Sequence, residues 1–134
     1  MSFLDTNILI YAAAGKQSEP RKWAISHDLL ADPGATISAQ VLAEFYFNVL
    51  RKGYLNEHDA DLWLDRLSLM PIVSIDGALV LEGAVVSRRY QISYWDGAIV
   101  AASNRCAATA LYTEDLNHGQ LYGDVHAVNP FVVI

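Results

Sequence analysis

A single cysteine, Cys106, among 134 residues excludes an internal disulfide, so a disulfide scaffold is ruled out and a reducing compartment fits. Cys106 sits in an Ala-rich helical stretch, where a quiet core thiol is its expected role. No apolar run approaches the roughly 18 residues of a membrane span. The amino terminus has no basic flank and meets Asp5 almost at once, unlike a signal peptide, and a cytoplasmic protein is expected. Positive charge is scarce as well: nine Lys and Arg face fifteen Asp and Glu, a net charge of −6. That balance counts against binding nucleic acid through a bulk surface field. It leaves room for an enzyme whose acids gather at one site and hold cations there. The basic pairs Arg21-Lys22, Arg51-Lys52 and Arg88-Arg89 are expected to be solvated helix ends.

Several catalytic signatures are missing too. His27, His58, His118 and His126 show no paired metal-ligand spacing, and no cysteine cluster exists for zinc; His118 reads as a surface loop residue. Neither a Gly-rich phosphate loop nor a Gly-x-Ser-x-Gly elbow is present. The aromatic groups Phe45-Tyr46-Phe47 and Tyr94-Trp95 could stack on bases, but core packing is expected for most of them.

What is present is a 53% hydrophobic, 18% charged chain of one-domain length, expected to form a single domain over residues 1–134. Short β-branched runs alternate with helix-period segments. Strands are expected at Phe3-Leu4, 35–38, 71–75, 109–113 and 125–129. Helices are expected from "ILIYAAA", from Ser18 and Pro20, from Ser38, from Asn56, from Asp76 and from Ser93. Alternating strands and helices predict an α/β fold with a mostly parallel five-stranded sheet covered on both faces. Such sheets bind ligands outside the carboxyl ends of their strands.

That rule makes four acids informative. Asp5 follows the first strand, and Asp115 follows the strand "TALYT". Glu44 lies on the helix after Ser38 with Val41 and Phe47 on its own side, and Asp96 is in the first turn after Ser93. Each has an ordinary structural role open to it. Asp5 or Asn7 could cap a helix, Asp96 fits a capping box, Glu44 could pair with Arg51-Lys52, and Asp115 could be a turn residue. Together the four weigh differently, because like charges brought close repel unless a cation sits among them. An all-carboxylate site favours Mg²⁺ or Mn²⁺.

The stretches "FLDTNILIY", "SAQVLAEFYFNVL", "SYWDGAIVAAS" and "LYTEDLNHGQ", followed by "VHAVNPF", resemble the successive motifs of PIN-domain ribonucleases. Among these the chain is most similar to the VapC-type toxins of bacterial toxin–antitoxin pairs. The resemblance spans nearly the whole chain. It implies a three-layer α/β/α fold, Mg²⁺-dependent endonucleolytic cleavage of RNA, and a homodimer silenced by a cognate antitoxin. It also implies an acidic quartet of Asp5, Glu44, Asp96 and Asp115, with Asn7 and Thr113 as polar supports. Asp5, Asp96 and Asp115 would hold metal directly or through water. Glu44 would complete the shell or orient the attacking water, and Asn7 would help to position Asp5. Two other classes remain. A receiver-like signalling module would use Asp76 as phosphoacceptor, but no lysine follows Lys52 to assist it. In a non-catalytic interaction domain the acids would be caps.

Overall fold

A computed structural model describes residues 1–132. The chain opens with β1 (Ser2–Leu4), α1 (Thr6–Ala14) and α2 (Pro20–Ala31), then β2 (Ala35–Ser38), α3 (Ala39–Arg51) and α4 (Glu57–Leu67). It continues through β3 (Ile72–Val73), α5 (Gly77–Tyr90), α6 (Tyr94–Arg105) and β4 (Ala110–Tyr112), and ends in β5 (Leu121–Tyr122) and β6 (Val125–Val128).

The helices begin where side-chain oxygens can replace missing backbone acceptors. Ser38, Asn56, Asp76 and Ser93 accept from the backbone N–H groups of Val41, Asp59, Leu79 and Asp96 respectively. Each of these caps stands where the polar residue before an apolar-periodic run predicts it. Pro20 occupies the first turn of α2, where its missing N–H costs nothing.

The strands form one sheet in the order β3-β2-β1-β4-β6-β5. All pairings are parallel except β5 with β6. The five expected strands are therefore present, with that over 71–75 reduced to Ile72–Val73, and β5 is a sixth. It is a two-residue edge strand joined to β6 through Gly123, whose φ of +63° suits a tight hairpin. Phe3, Leu4, Ile37 and Leu111 of the central strands are fully buried, and Ile8, Leu9, Val41, Phe45 and Val100 join them in one core.

The chain leaves β1 toward β2 and β3, then returns to place β4 on the other side of β1. A crevice at the carboxyl ends of β1 and β4 follows from that reversal. The helices α5 and α6 cross at close range. A Cβ on Gly83 would lie 2.9 Å from Ala98 Cα, and one on Gly97 would lie 2.5 Å from Gly83 O. Glycine at both positions lets the backbone carrying Asp96 approach its neighbour.

Candidate functional site

Asp5 ends β1 and begins α1 at the reversal point, and only 5% of it is exposed. Its Oδ1 accepts from Thr6 N at 2.7 Å, so the capping role is real. Its Oδ2 accepts from the Thr113 hydroxyl at 2.7 Å, across the β1–β4 gap. Two hydrogen bonds do not replace the water that burial removes. Burial, opposed by Thr113 and Thr6 and reinforced by the charges of Asp115 and Asp96, pushes the Asp5 carboxyl up to about 6. A cap alone has no need of so costly a position.

Thr113 has a second task, accepting from Asp115 N at 3.1 Å, and so shapes the turn that presents Asp115. Asp115 is open to solvent on its outer side. The protein around it still removes part of its water, and that loss, with Asp96, Glu114 and Glu44 nearby, raises its pKa. Asp96 is half-buried, and its pKa is raised by burial and then by Glu44, against the opposing Ser93 hydrogen bond. These effects couple Asp5 to Asp96 and Asp115, and Asp96 and Asp115 to Glu44, at one end of the sheet.

Glu44 is held from two sides. Its Oε2 accepts from Thr6 Oγ1 at 3.0 Å, and its Oε1 accepts from Gln40 Nε2 at 2.8 Å. Gln40 also donates to Trp95 O at 3.2 Å, which ties Glu44 to the turn carrying Asp96. Val41 is buried as expected, whereas Phe47 is 62% exposed beneath Arg51. Phe45 packs in the core, but Trp95, like Phe47, lies outside it.

Asn7 does not reach Asp5. Its amide donates to Glu114 Oε1 at 3.2 Å. Glu114 also accepts from Tyr11 OH at 2.7 Å and pairs with Lys22 Nζ at 3.2 Å. Lys22 is thus no solvated helix end; it offsets a fifth carboxylate beside Asp115. Thr6, Gln40, Glu114, Tyr11 and Lys22 all escape a reading of the sequence alone. Only Gln40 left a local signal, its spacing of one helical turn from Glu44. Arg51 and Arg88-Arg89 do fall in last helical turns. His118 accepts from Asn129 N at 2.9 Å and has a loop-bracing role. Asp76 caps α5 and pairs with Arg105, so its carboxylate is already engaged.

Among the described residues, no three His, Cys, Asp or Glu side chains form a preassembled metal site. The donor chemistry nevertheless fits a hard cation. The available groups are carboxylates and hydroxyls, and burial, with the charges of Asp115 and Asp96, makes the ionised form of Asp5 costly. Mg²⁺ keeps several of its waters, so carboxylates need not all converge on it directly.

The sequence model of the PIN domain family matches residues 2–123. No curated protein matches the chain. Solved structures with the same fold include a toxin–antitoxin complex from Klebsiella pneumoniae, at 20% identity and TM-score 0.74, covering 99% of this chain and 100% of that one. Mycobacterium tuberculosis VapC20, a toxin that cleaves the sarcin-ricin loop, is 18% identical with TM-score 0.70, over 86% of this chain and 90% of its own. VapBC2 from Rickettsia felis, bound to a promoter DNA fragment, is 21% identical with TM-score 0.64, over 94% and 96%.

Proposed function

Because the chain belongs to the PIN domain family, we propose that it is a VapC-type toxin: an endoribonuclease that cleaves RNA phosphodiester bonds with Mg²⁺, or Mn²⁺ in its place. The observation that carries this reading is the burial of Asp5 at the β1–β4 reversal with Asp96 and Asp115 in electrostatic reach. Asp5, Asp96 and Asp115 would hold the ion, directly or through water. When bound, it supplies a lowered pKa for the attacking water and neutralises charge developing on the phosphate. Thr113 keeps Asp5 oriented and shapes the Asp115 turn. Glu44, with Thr6 and Gln40 fixing its two oxygens, completes the shell or orients the attacking water. Asn7 acts one step away, through Glu114.

In this reading residues 1–134 form one PIN domain acting in the cytoplasm as a homodimer, and a cognate antitoxin silences it. The toxin–antitoxin complexes among the structural neighbours support the partner. No helix among the described residues is long and apolar enough to cross a membrane. The test is RNA cleavage by purified protein with Mg²⁺ or Mn²⁺. Chelation and Asp96→Asn should each abolish cleavage while the variant stays folded. Cleavage that survives both, with contaminating nucleases excluded, refutes the metal mechanism. Stable phosphate transfer to Asp76 without cleavage would favour the signalling module instead.

A further inference from the structure

A cleft of about 600 Å³ between α5 and α6 is walled by aliphatic side chains together with Glu82, Arg89 and Arg105, and contains none of the four carboxylates. A second cleft, of about 460 Å³, shares Asn7 with the carboxylate site. Asn7 is the residue whose amide holds Glu114 beside Asp115. Tyr11, Ser18 and Glu19 extend the wall, and Lys52 and Tyr54 complete it from the turn after α3. The volume is in the range of small-ligand pockets.

The Lys52–Tyr54 turn is set by its backbone. Gly53 adopts φ +67°, its N–H donates to Leu50 O at 3.1 Å, and Tyr54 N donates to Val49 O at 2.9 Å. The turn carries an ammonium over one face of a phenol ring, with Lys52 Nζ 6.0 Å from the Tyr54 ring centroid, and leaves the other face for a base. Tyr54 is 52% exposed, and among the described residues Lys52 enters no ion pair. In a chain of net charge −6, this places a cation outside any ion pair and a half-exposed ring in a cleft that shares Asn7 with the acidic site. A nucleotide matches both features: its phosphate answers the ammonium, and its base answers the ring. An acidic peptide answers only the first.

We propose that this cleft is a subsite for an RNA nucleotide flanking the scissile phosphate. Lys52 contacts a backbone phosphate and Tyr54 stacks on a base, while Ser18 and Glu19 offer acceptors to sugar hydroxyls or base amines. The assignment rests on the RNA cleavage proposed above.

The test measures binding of a short fluorescein-labelled single-stranded RNA of mixed sequence to full-length protein silenced by Asp96→Asn. Adding Lys52→Gln or Tyr54→Ala should weaken binding by about five- to tenfold or more, and Tyr54→Phe should restore it. Lys52→Gln should also flatten the logarithmic salt dependence by about 0.7. In otherwise wild-type protein both substitutions should raise KM far more than they lower kcat. Unchanged RNA affinity and salt dependence in both variants overturn the subsite, whether or not cleavage occurs. So does a loss of affinity confined to an oligoglutamate probe, which would give the cleft to a protein partner. Wild-type protein that binds the RNA with this dependence on Lys52 and Tyr54, yet never cleaves it, keeps the cleft as an RNA-binding site but refutes the nuclease reading and, with it, the placement beside a scissile phosphate.

Discussion

Replacing Asp5 by Asn separates a helix cap from a member of a charged site. Asn caps about as well as Asp, so a residue that only caps should tolerate the change at every pH. The structure predicts otherwise. Asp5 titrates at about 6 in the folded chain against an ordinary 3.8. A carboxyl raised on folding favours the native state fully below its unfolded pKa, and that contribution is lost as pH rises through the folded one. At about 1.4 kcal/mol per pH unit, ionised Asp5 therefore costs the metal-free protein about 3 kcal/mol at pH 7. Asp5→Asn removes the cost, so urea melts should find the variant up to about 3 kcal/mol more stable than wild type at pH 7 and nearly equal to it at pH 4. The corresponding rise in Tm at pH 7 is roughly 10 °C. Saturating Mg²⁺ should favour the wild type: it gains about 2.7 kcal/mol at a hundredfold excess over Kd, and the variant gains clearly less. A stability difference that stays flat from pH 4 to 7, with equal Mg²⁺ responses, would refute the reasoning and return Asp5 to the role of a cap.

Thr113→Val leaves the buried Asp5 carboxylate and Asp115 N without their hydroxyl partner. Denaturant melts should show a loss of about 1–3 kcal/mol at pH 7 that shrinks at pH 4, where Asp5 is protonated. Gly97→Ala drives a methyl against Gly83 O and Ser87 at the α5–α6 crossing. It should cost about 1–3 kcal/mol in the same assay and weaken cleavage by displacing the turn that carries Asp96. Gln40→Ala frees one oxygen of Glu44; cleavage should fall about 10- to 100-fold, measured as kcat/KM on RNA.

The architecture was legible because its boundaries are local chemistry. Ser38, Asn56, Asp76 and Ser93 each precede an apolar-periodic run, and each caps the helix that run forms. β5 was not legible, since two residues carry no periodicity and are held by pairing with β6; its one signal was Gly123 between Tyr122 and Asp124-Val125. The acids stood out because a carboxylate between apolar runs is unusual anywhere in a sequence. Of the groups that hold them, only Thr113 was named, and that through the family resemblance and no local pattern. Thr113 meets Asp5 across 108 positions, and Lys22 meets Glu114 across 92. No local pattern encodes such contacts, which exist only because β4 returns to lie beside β1.

That return also makes the cap compatible with the ligand role proposed for Asp5. The two roles use different oxygens: Oδ1 takes the first N–H of α1, and Oδ2 faces β4 and takes the Thr113 hydroxyl. Capping fixes the side chain at the strand end without neutralising it. Burial then makes the remaining charge expensive, and the neighbouring acids make it more so. A cap on an exposed helix would relax into solvent; this one is held where only a proton or a cation relieves it. The same hydrogen bonds that start α1 therefore hold a buried carboxylate at the strand end, and capping is compatible with the proposed metal role of Asp5.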